Sequence, residues 1–445
     1  MALTGLEIYK QLPKKNCGEC GPPTCLAFAM ALAGGKASLD SCPYVSDAAR
    51  AALDSAAAPP IAKVVVGSGD TVIELGDETE LFRHDKKFYH ETAVAFLVSD
   101  TLGEAELSDK VAEINQLAFH RVGLEYRIQM VAIKNDSGNP ETFKNAVQTV
   151  ASNTGLALAL ISENPEAISQ ALGPVASRKP LVSAATEANW EQMVAAVKDS
   201  GCALAVKAAG LDNLAALVEK ITGAGYKQLV LDPMPDSVSR AVADFTQIRR
   251  LAIKKKFRPF GYPLIAFTQA EDPLEEVTEA AAYVAKYASV VVLKTTDRAA
   301  LLPLLTLRQN IYTDPQVPIQ VEEGIHEVGT PNENSPVYVT TNFSLTYYSV
   351  EGEVEGSRIP SHIISVNTDG LSVMTSYADG KFEAEKIAET MKKYGIEAKV
   401  KHRNIVIPGG VAVIKGKLEE LTGWKVIVGP REASGIAAFA KSQFA

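Results

Sequence analysis

The chain has 445 residues, 47% hydrophobic and 22% charged, with a formal net charge of -9. At about 150 residues per domain this length suggests roughly three domains, and the composition is that of a globular protein rather than a disordered or fibrous one. The acidic balance argues against a nucleic-acid partner, no run reaches the roughly 18 apolar residues of a membrane span, and no signal-peptide core opens the chain, so the expected location is the cytoplasm.

Four of the five cysteines, Cys17, Cys20, Cys25 and Cys42, lie near the start in a C-x2-C-x4-C-x16-C array. A reducing cytosol disfavours disulfides there, and four clustered thiols point to a metal. Zinc sites usually carry two C-x2-C knuckles, whereas here the fourth thiol arrives alone; this favours a [4Fe-4S] cluster, with zinc and free thiols left as alternatives. Gly18 and Gly21 allow the backbone close to inorganic sulfur, and Thr24 reads as the N-cap of a helix that places Cys25 at its positive end. Cys202, in an apolar segment, reads as an inert buried thiol.

After Pro59-Pro60, residues 59–92 read as a linker, and the glycines of G-S-G-D at 67–70 as turns. From Ala93 onward, eight short apolar strands alternate with amphipathic helical patterns: 95–99, 128–133, 156–161, 181–185, 203–207, 229–232, 264–268 and 290–294. Eight β/α units predict a closed TIM barrel, with the active face at the carboxyl ends of the strands, where Asp100, Asn135, Glu163 and Asp232 stand. Polar residues in such places are also common turn formers and caps. The basic stretch from Arg249 to Arg258 reads as a solvated helix face.

A second α/β pattern follows, with strands at 337–341, 363–366, 405–407 and 425–428. Each runs into a loop of small residues: T-N-F-S, N-T-D-G-L-S, P-G-G and G-P-R-E-A-S-G. In a parallel sheet these loops share one rim, where helix N-termini and backbone donors meet ligands. Small residues in all four imply a large, flat ligand, although tight turns alone would also use them.

The array C-G-E-C-G-P-P-T-C with Cys42-Pro43, the eight-unit barrel, and the terminal segments V-Y-V-T-T-N-F-S-L-T-Y-Y and T-D-G-L-S-V together resemble the large subunit of the corrinoid iron-sulfur protein family of anaerobic acetyl-CoA metabolism. The resemblance implies a multidomain α/β chain: a small [4Fe-4S] module (1–58), the linker, a TIM barrel (93–318) and a flavodoxin-like, Rossmann-like corrinoid-binding domain (325–445). By position, the cobamide is expected on Thr340, Thr341, Thr346, Gly370, Leu371, Ser372, Val373 and Ala433, with Gly409, Gly410 and Gly429 on the same rim. The family's cobalt, as Co(I), takes a methyl group from methyltetrahydrofolate on a separate methyltransferase and passes it to acetyl-CoA synthase/CO dehydrogenase; the cluster returns spent Co(II) to Co(I). The implied partners are a small subunit in a heterodimer, the methyltransferase, the synthase and a reductive activator. No residue is expected to be catalytic by itself. The D-x-H-x-x-G motif that places a histidine under cobalt is missing: Gly324 to Gly329 lacks its aspartate, and His362 and His402 stand in other contexts. A cobalt without histidine ligation is therefore expected. Two rival readings make the barrel itself a methyltetrahydropterin-dependent methyltransferase, using Asp100, Asn135 or Asp232, or make the chain an electron-transfer adaptor with an empty C-terminal domain.

Overall fold

A computed structural model of the chain describes residues 5–33, 37–46, 49, 50, 53, 59–85, 87–121, 124–314 and 316–444. The chain divides into two compact units, residues 1–81, 89–114 and 129–297, and residues 82–88, 115–128 and 298–445.

In the first unit, a short hairpin of β1 (Val64–Val66) and β2 (Ile73–Leu75) precedes the barrel strand β3 (Ala93–Ser99). After the hairpin of β4 (Ala118–Arg121) and β5 (Leu124–Arg127), which belongs to the second unit, come β6 (Met130–Lys134), β7 (Ala157–Ile161), β8 (Leu181–Ala185), β9 (Leu204–Lys207), β10 (Leu229–Asp232), β11 (Leu264–Phe267) and β12 (Ala288–Leu293). All eight expected barrel strands are present and close in chain order, β12 pairing in parallel with β3. They are legible as apolar runs because both faces are buried: every residue of β8 and β10 is covered. Three helices, Pro140–Asn153, Pro165–Leu172 and Pro273–Ala285, start alike, with Asn139, Asn164 or Asp272 accepting two backbone N–H groups ahead of a proline in the first turn.

Part of the stretch read as a linker is folded. Val64, Val66 and Leu75 share one apolar cluster with barrel residues that include Ala95, Ala132, Ala159 and Ala205. An eight-stranded barrel is just wide enough for side chains to fill, and methyl groups do not fill it; the hairpin supplies the missing volume. It sits at the amino-terminal end of the strands, where Gly67 N–H donates to the Lys179 carbonyl at 2.9 Å and Ala62 N–H to that of Gly261 at 2.8 Å.

The basic stretch also differs from expectation at two positions, one of them Arg258, which is half-buried and donates to the Pro59 carbonyl at 3.1 Å. Arg250, Lys254, Lys255 and Lys256 are exposed. Arg249 is buried, donating to the Glu80 carbonyl at 2.9 Å and to Glu78 at 3.4 Å. Glu78, buried as well, accepts the Tyr89 and His90 N–H groups, so this pair ties the segment behind the hairpin to the helix Val238–Lys255.

In the second unit, β13 (Gly324–Val328), β14 (Val337–Thr341), β15 (Ser361–Val366), β16 (Asn404–Ile407) and β17 (Lys425–Val428) form a sheet in the order β13-β15-β14-β16-β17. Only β13, unforeseen in the sequence, is antiparallel. Val337, Val339 and Ile405 pack on one face with Ile387 and Leu418 of two helices; Tyr338, Ile363 and Val406 pack on the other with Tyr347 and Ile436. Among the described residues no helix is long and apolar enough to cross a membrane.

Replacing Arg249 by methionine strands the Glu78 carboxylate in the interior and should destabilise the first unit by about 3 kcal/mol. Adding Glu78→Gln should recover much of the loss, both read from urea unfolding.

Candidate functional site

At the amino end the chain turns back on itself through left-handed positions at Lys14, Asn16, Gly18 and Gly21. Asn16 Oδ1 accepts the Cys25 N–H at 2.8 Å while its own N–H points at Cys25 Sγ at 3.4 Å. Thr24 Oγ1 accepts the Ala27 N–H at 3.1 Å, so the expected cap is formed and Cys25 opens the helix Cys25–Ala33. Cys25 and Cys42 are buried, Cys20 is half-buried and Cys17 is exposed. The Cys20 pKa is raised, first by burial and then by the fields of Cys42, Cys17 and Cys25. Thiolates that oppose one another in this way call for a cationic centre, which is the chemistry of a metal-cluster donor set. Beside them Tyr44 donates to Glu19 at 2.8 Å, and Lys15 lies 3.7 Å over the Tyr44 ring. Among the described residues no three His, Cys, Asp or Glu side chains are grouped to hold a single metal ion.

At the other end of the chain, the four small-residue loops meet at the carboxyl ends of the parallel strands. A cavity of about 450 Å³ opens there. Its walls include Thr340 on β14, Thr346 in the first turn of the helix Ser344–Ser357, Ser372 and Val373 after β15, Gly410 after β16, and Gly429 and Ala433 after β17. Gly370 and Leu371 instead line an adjoining cavity of about 570 Å³ together with Ser372. Thr341 is fully buried on the opposite face of the strand from Thr340 and lines neither. Gly409 serves the backbone: its N–H donates to the Pro430 carbonyl at 2.9 Å, and a Cβ there would stand 2.5 Å from the Gly429 oxygen. The two loops cross at a distance that only glycine permits.

The cavity runs down between β14 and β16 to Tyr338, a residue that the sequence reading missed. Tyr338 Oη, Thr340 Oγ1 and Thr341 Oγ1 are buried without hydrogen-bond partners. Burial pushes the Tyr338 pKa up to about 12. Buried hydroxyls are nearly always satisfied, so orphans along a cavity wall suit a ligand with polar groups. Strand pattern alone makes Tyr338 an ordinary inward residue; only the cavity singles it out.

The histidines lie elsewhere. His362 is buried near the start of β15 with neither ring nitrogen paired, and burial lowers its pKa. His402, just before β16, holds the Ser335 carbonyl, and His326 on β13 contacts Ser365 Oγ at 2.9 Å.

In the barrel, a cavity of about 750 Å³ opens at the carboxyl ends of the strands and gathers Asn135, Glu163 and Asp232. Asp100 is not among them: both of its oxygens are taken by Ser137 N–H and Oγ, which shape the loop after β6. Glu163 pairs with Lys207 at 2.7 Å and Glu271 with Lys294 at 2.6 Å. Asp232 accepts the Met234 N–H at 2.9 Å, and burial raises its pKa to about 6. Buried Glu276 and Glu279 stiffen the mouth by accepting backbone N–H groups of Lys294, Thr295, Gln269 and Ala270.

The family model described as CO dehydrogenase/acetyl-CoA synthase delta subunit matches residues 63–440, and an Fe-S cluster model matches residues 12–44. The chain is 67% identical over 445 residues to the corrinoid/iron-sulfur protein large subunit of Moorella thermoacetica, covering 100% of both chains. To the acetyl-CoA decarbonylase/synthase complex subunit gamma of Methanopyrus kandleri it is 36% identical, over 99% of this chain and 98% of that one. Among solved structures, a dihydropteroate synthase from Thermus thermophilus aligns with a TM-score of 0.39 and 18% identity, over 56% of this chain and 100% of that chain. Matched along its whole length in this way, the chain belongs to the corrinoid/iron-sulfur protein large-subunit family.

Proposed function

We propose that this chain is a methyl carrier of acetyl-CoA assembly, holding a corrinoid at the rim of its C-terminal sheet and a [4Fe-4S] cluster on Cys17, Cys20, Cys25 and Cys42. The observation that carries the reading is the cavity between β14 and β16, with its orphaned hydroxyls Tyr338 Oη and Thr340 Oγ1. The parallel strands run in the order β15-β14-β16-β17, a flavodoxin-like arrangement that reverses direction between β14 and β16, and ligands of such sheets bind at that crevice.

When bound, the corrinoid supplies a cobalt that accepts and releases a methyl group, and the cluster supplies single electrons that return it to its accepting state. The chain's own residues do the positioning. Thr340, Thr346 and Ser372 would offer hydroxyls to the corrinoid, and Gly410, Gly429 and Ala433, being small, would let it come close to the backbone. Gly409 acts from behind, fixing the crossing of two loops, while Thr341 and the Gly370-Leu371 segment stand outside the cavity wall. At the other end Asn16 and the Tyr44–Glu19 pair hold the cysteine loop. The working protein on this reading is a heterodimer with a small subunit in the cytoplasm, served by a methyltransferase, the synthase and a reductive activator.

A second reading rests on Asp232 alone: the barrel mouth takes a pterin-like ring whose N–H groups meet this carboxylate, making the barrel a methyltransferase. Titrating the full chain with methyltetrahydrofolate separates the two, since the carrier reading expects no heat and the second expects micromolar binding lost in Asp232→Asn.

For the carrier reading, anaerobically prepared protein should hold roughly four iron atoms per cobalt. Cys20→Ala should lose the iron and keep the cobalt, and Gly409→Val should do the reverse; loss of both metals from either variant would argue against separate sites. Asp232 also predicts a pH effect. Its carboxyl keeps its proton to about pH 6 when folded but only to about 3.8 when unfolded, so the folded state binds more protons in between. Stability of the first unit should fall by about 3 kcal/mol in all as pH rises from about 3 to about 7, with about 2 kcal/mol of it between pH 4 and 6, and then level off, a slope missing from Asp232→Asn in urea unfolding.

A further inference from the structure

Asn342, the first residue beyond β14, is 2% exposed and lies in neither cavity at the rim. Its Oδ1 receives three donors: the Thr368 N–H at 2.9 Å, the Thr368 hydroxyl at 3.1 Å and the Gly370 N–H at 3.2 Å. Two of these are backbone groups that can only donate, which fixes the facing atom as the oxygen and leaves Nδ2 on the other side. That nitrogen donates to Gln320 Oε1 at 3.0 Å and to Asn367 Oδ1 at 3.3 Å. One side chain therefore joins the end of β14, the loop after β15 and the strand-like segment at Gln320, which also bridges to Phe343.

The loop it grips has an unusual shape. Asp369 and Gly370 both take left-handed conformations, and a Cβ on Gly370 would stand 2.8 Å from Pro318 and 2.9 Å from Gln320. Glu323 accepts the Asn367 N–H and Lys381 pairs with exposed Asp369 at 3.1 Å, so the buried hold on the turn comes from Asn342 and from the Thr368 hydroxyl, whose one proton goes to the Asn342 oxygen or to the Leu371 carbonyl at 3.0 Å. Without the amide, two buried backbone N–H groups lose their acceptor, a state that folded chains avoid.

We infer that Asn342 is a positioning residue for the corrinoid: it touches no ligand but presets the loop that carries Gly370, Leu371, Ser372 and Val373, so that binding need not order it. This rests on the rim being the corrinoid site. A loop already fixed in its bound form spares the ligand the entropy of ordering it, and the consequence is tighter binding.

The test uses the full chain with its cluster intact and hydroxocobalamin as probe, with affinity read from absorbance after equilibrium dialysis and iron content as the check on folding. Asn342→Leu, close in size but unable to accept, should weaken binding by about tenfold or more, and Thr368→Val, which removes one of the three donors, by about threefold. Asn342→Asp keeps the acceptor, and Gln320 can turn its amide to donate to the new oxygen, so this variant should bind within about threefold of the unaltered chain. That rescue is what a general loosening of the domain would not produce. Unchanged binding in Asn342→Leu, or equal losses in the leucine and aspartate variants, overturns the inference while leaving the rim as the site. If the unaltered chain takes up no cobalamin, the reading of the rim itself fails, and the role of Asn342 with it.

Discussion

Two loops cross at the carboxyl ends of the parallel strands so closely that backbone must meet backbone there, and this constraint shapes the C-terminal unit. The crossing of Gly409 over the Gly429 carbonyl leaves no room for even a methyl group. Above it Ser372, Gly410, Pro430 and Ala433 line the rim together with Met374, Arg431 and Glu432; below it three hydroxyls are buried without hydrogen-bond partners. Each such orphan costs about 1 to 3 kcal/mol against a satisfied hydroxyl. The apolar layers on both faces of the sheet offset that cost, including Trp424 and Phe382 on one side and Tyr347 on the other. The rim is the expensive part of the unit, and the core is what permits it.

The amino-terminal loop solves a related problem by other means. There the backbone must come close to several thiols at once, and it does so by left-handed turns at Asn16, Gly18 and Gly21 rather than by strand ends. Asn16 is not glycine, and its side chain shows why it is tolerated: the Oδ1 contact to Cys25 N–H compensates for the strained backbone. Both ends of the chain thus pair a conformationally demanding loop with an asparagine whose side-chain oxygen accepts backbone N–H, exposed Asn16 beside the thiols and buried Asn342 at the rim.

Much of this was legible from sequence, for physical reasons. Barrel strands buried on both faces read as continuous apolar runs, and all eight lie where those runs predict. The cap at Thr24 follows from local chemistry, and Asn139, Asn164 and Asp272, which the sequence reading did not single out, obey the same rule. What escaped was decided by contacts distant in sequence. Val64 to Val66 is too short and too flanked by glycine to announce a strand, and it becomes one because an alanine-lined barrel needs filling. The edge strand β13 carries His326 and Glu327, polar residues that mask its pattern. Arg249 looks like its solvated neighbours until Glu78 is found beside it. At the rim, the loops were legible by their small residues, whereas Tyr338 and Asn342 were not, since one is distinguished by a cavity and the other by a network.

The barrel mouth follows a different logic from either end. Its lysines at 207 and 294 are each neutralised by a carboxylate of the same rim, which leaves Asp232 as the lining carboxylate without a matched cation among the described residues. A barrel serving only as a spacer would be more stable with an amide or an apolar side chain at that position, because burial makes the charged form of Asp232 costlier than it is in water. The imbalance is relieved when a donor enters the mouth, whether from a small ring or from a partner's side chain. Shape supports that view: the hairpin seals the amino-terminal end of the barrel, so the carboxyl end is where such a donor gains access.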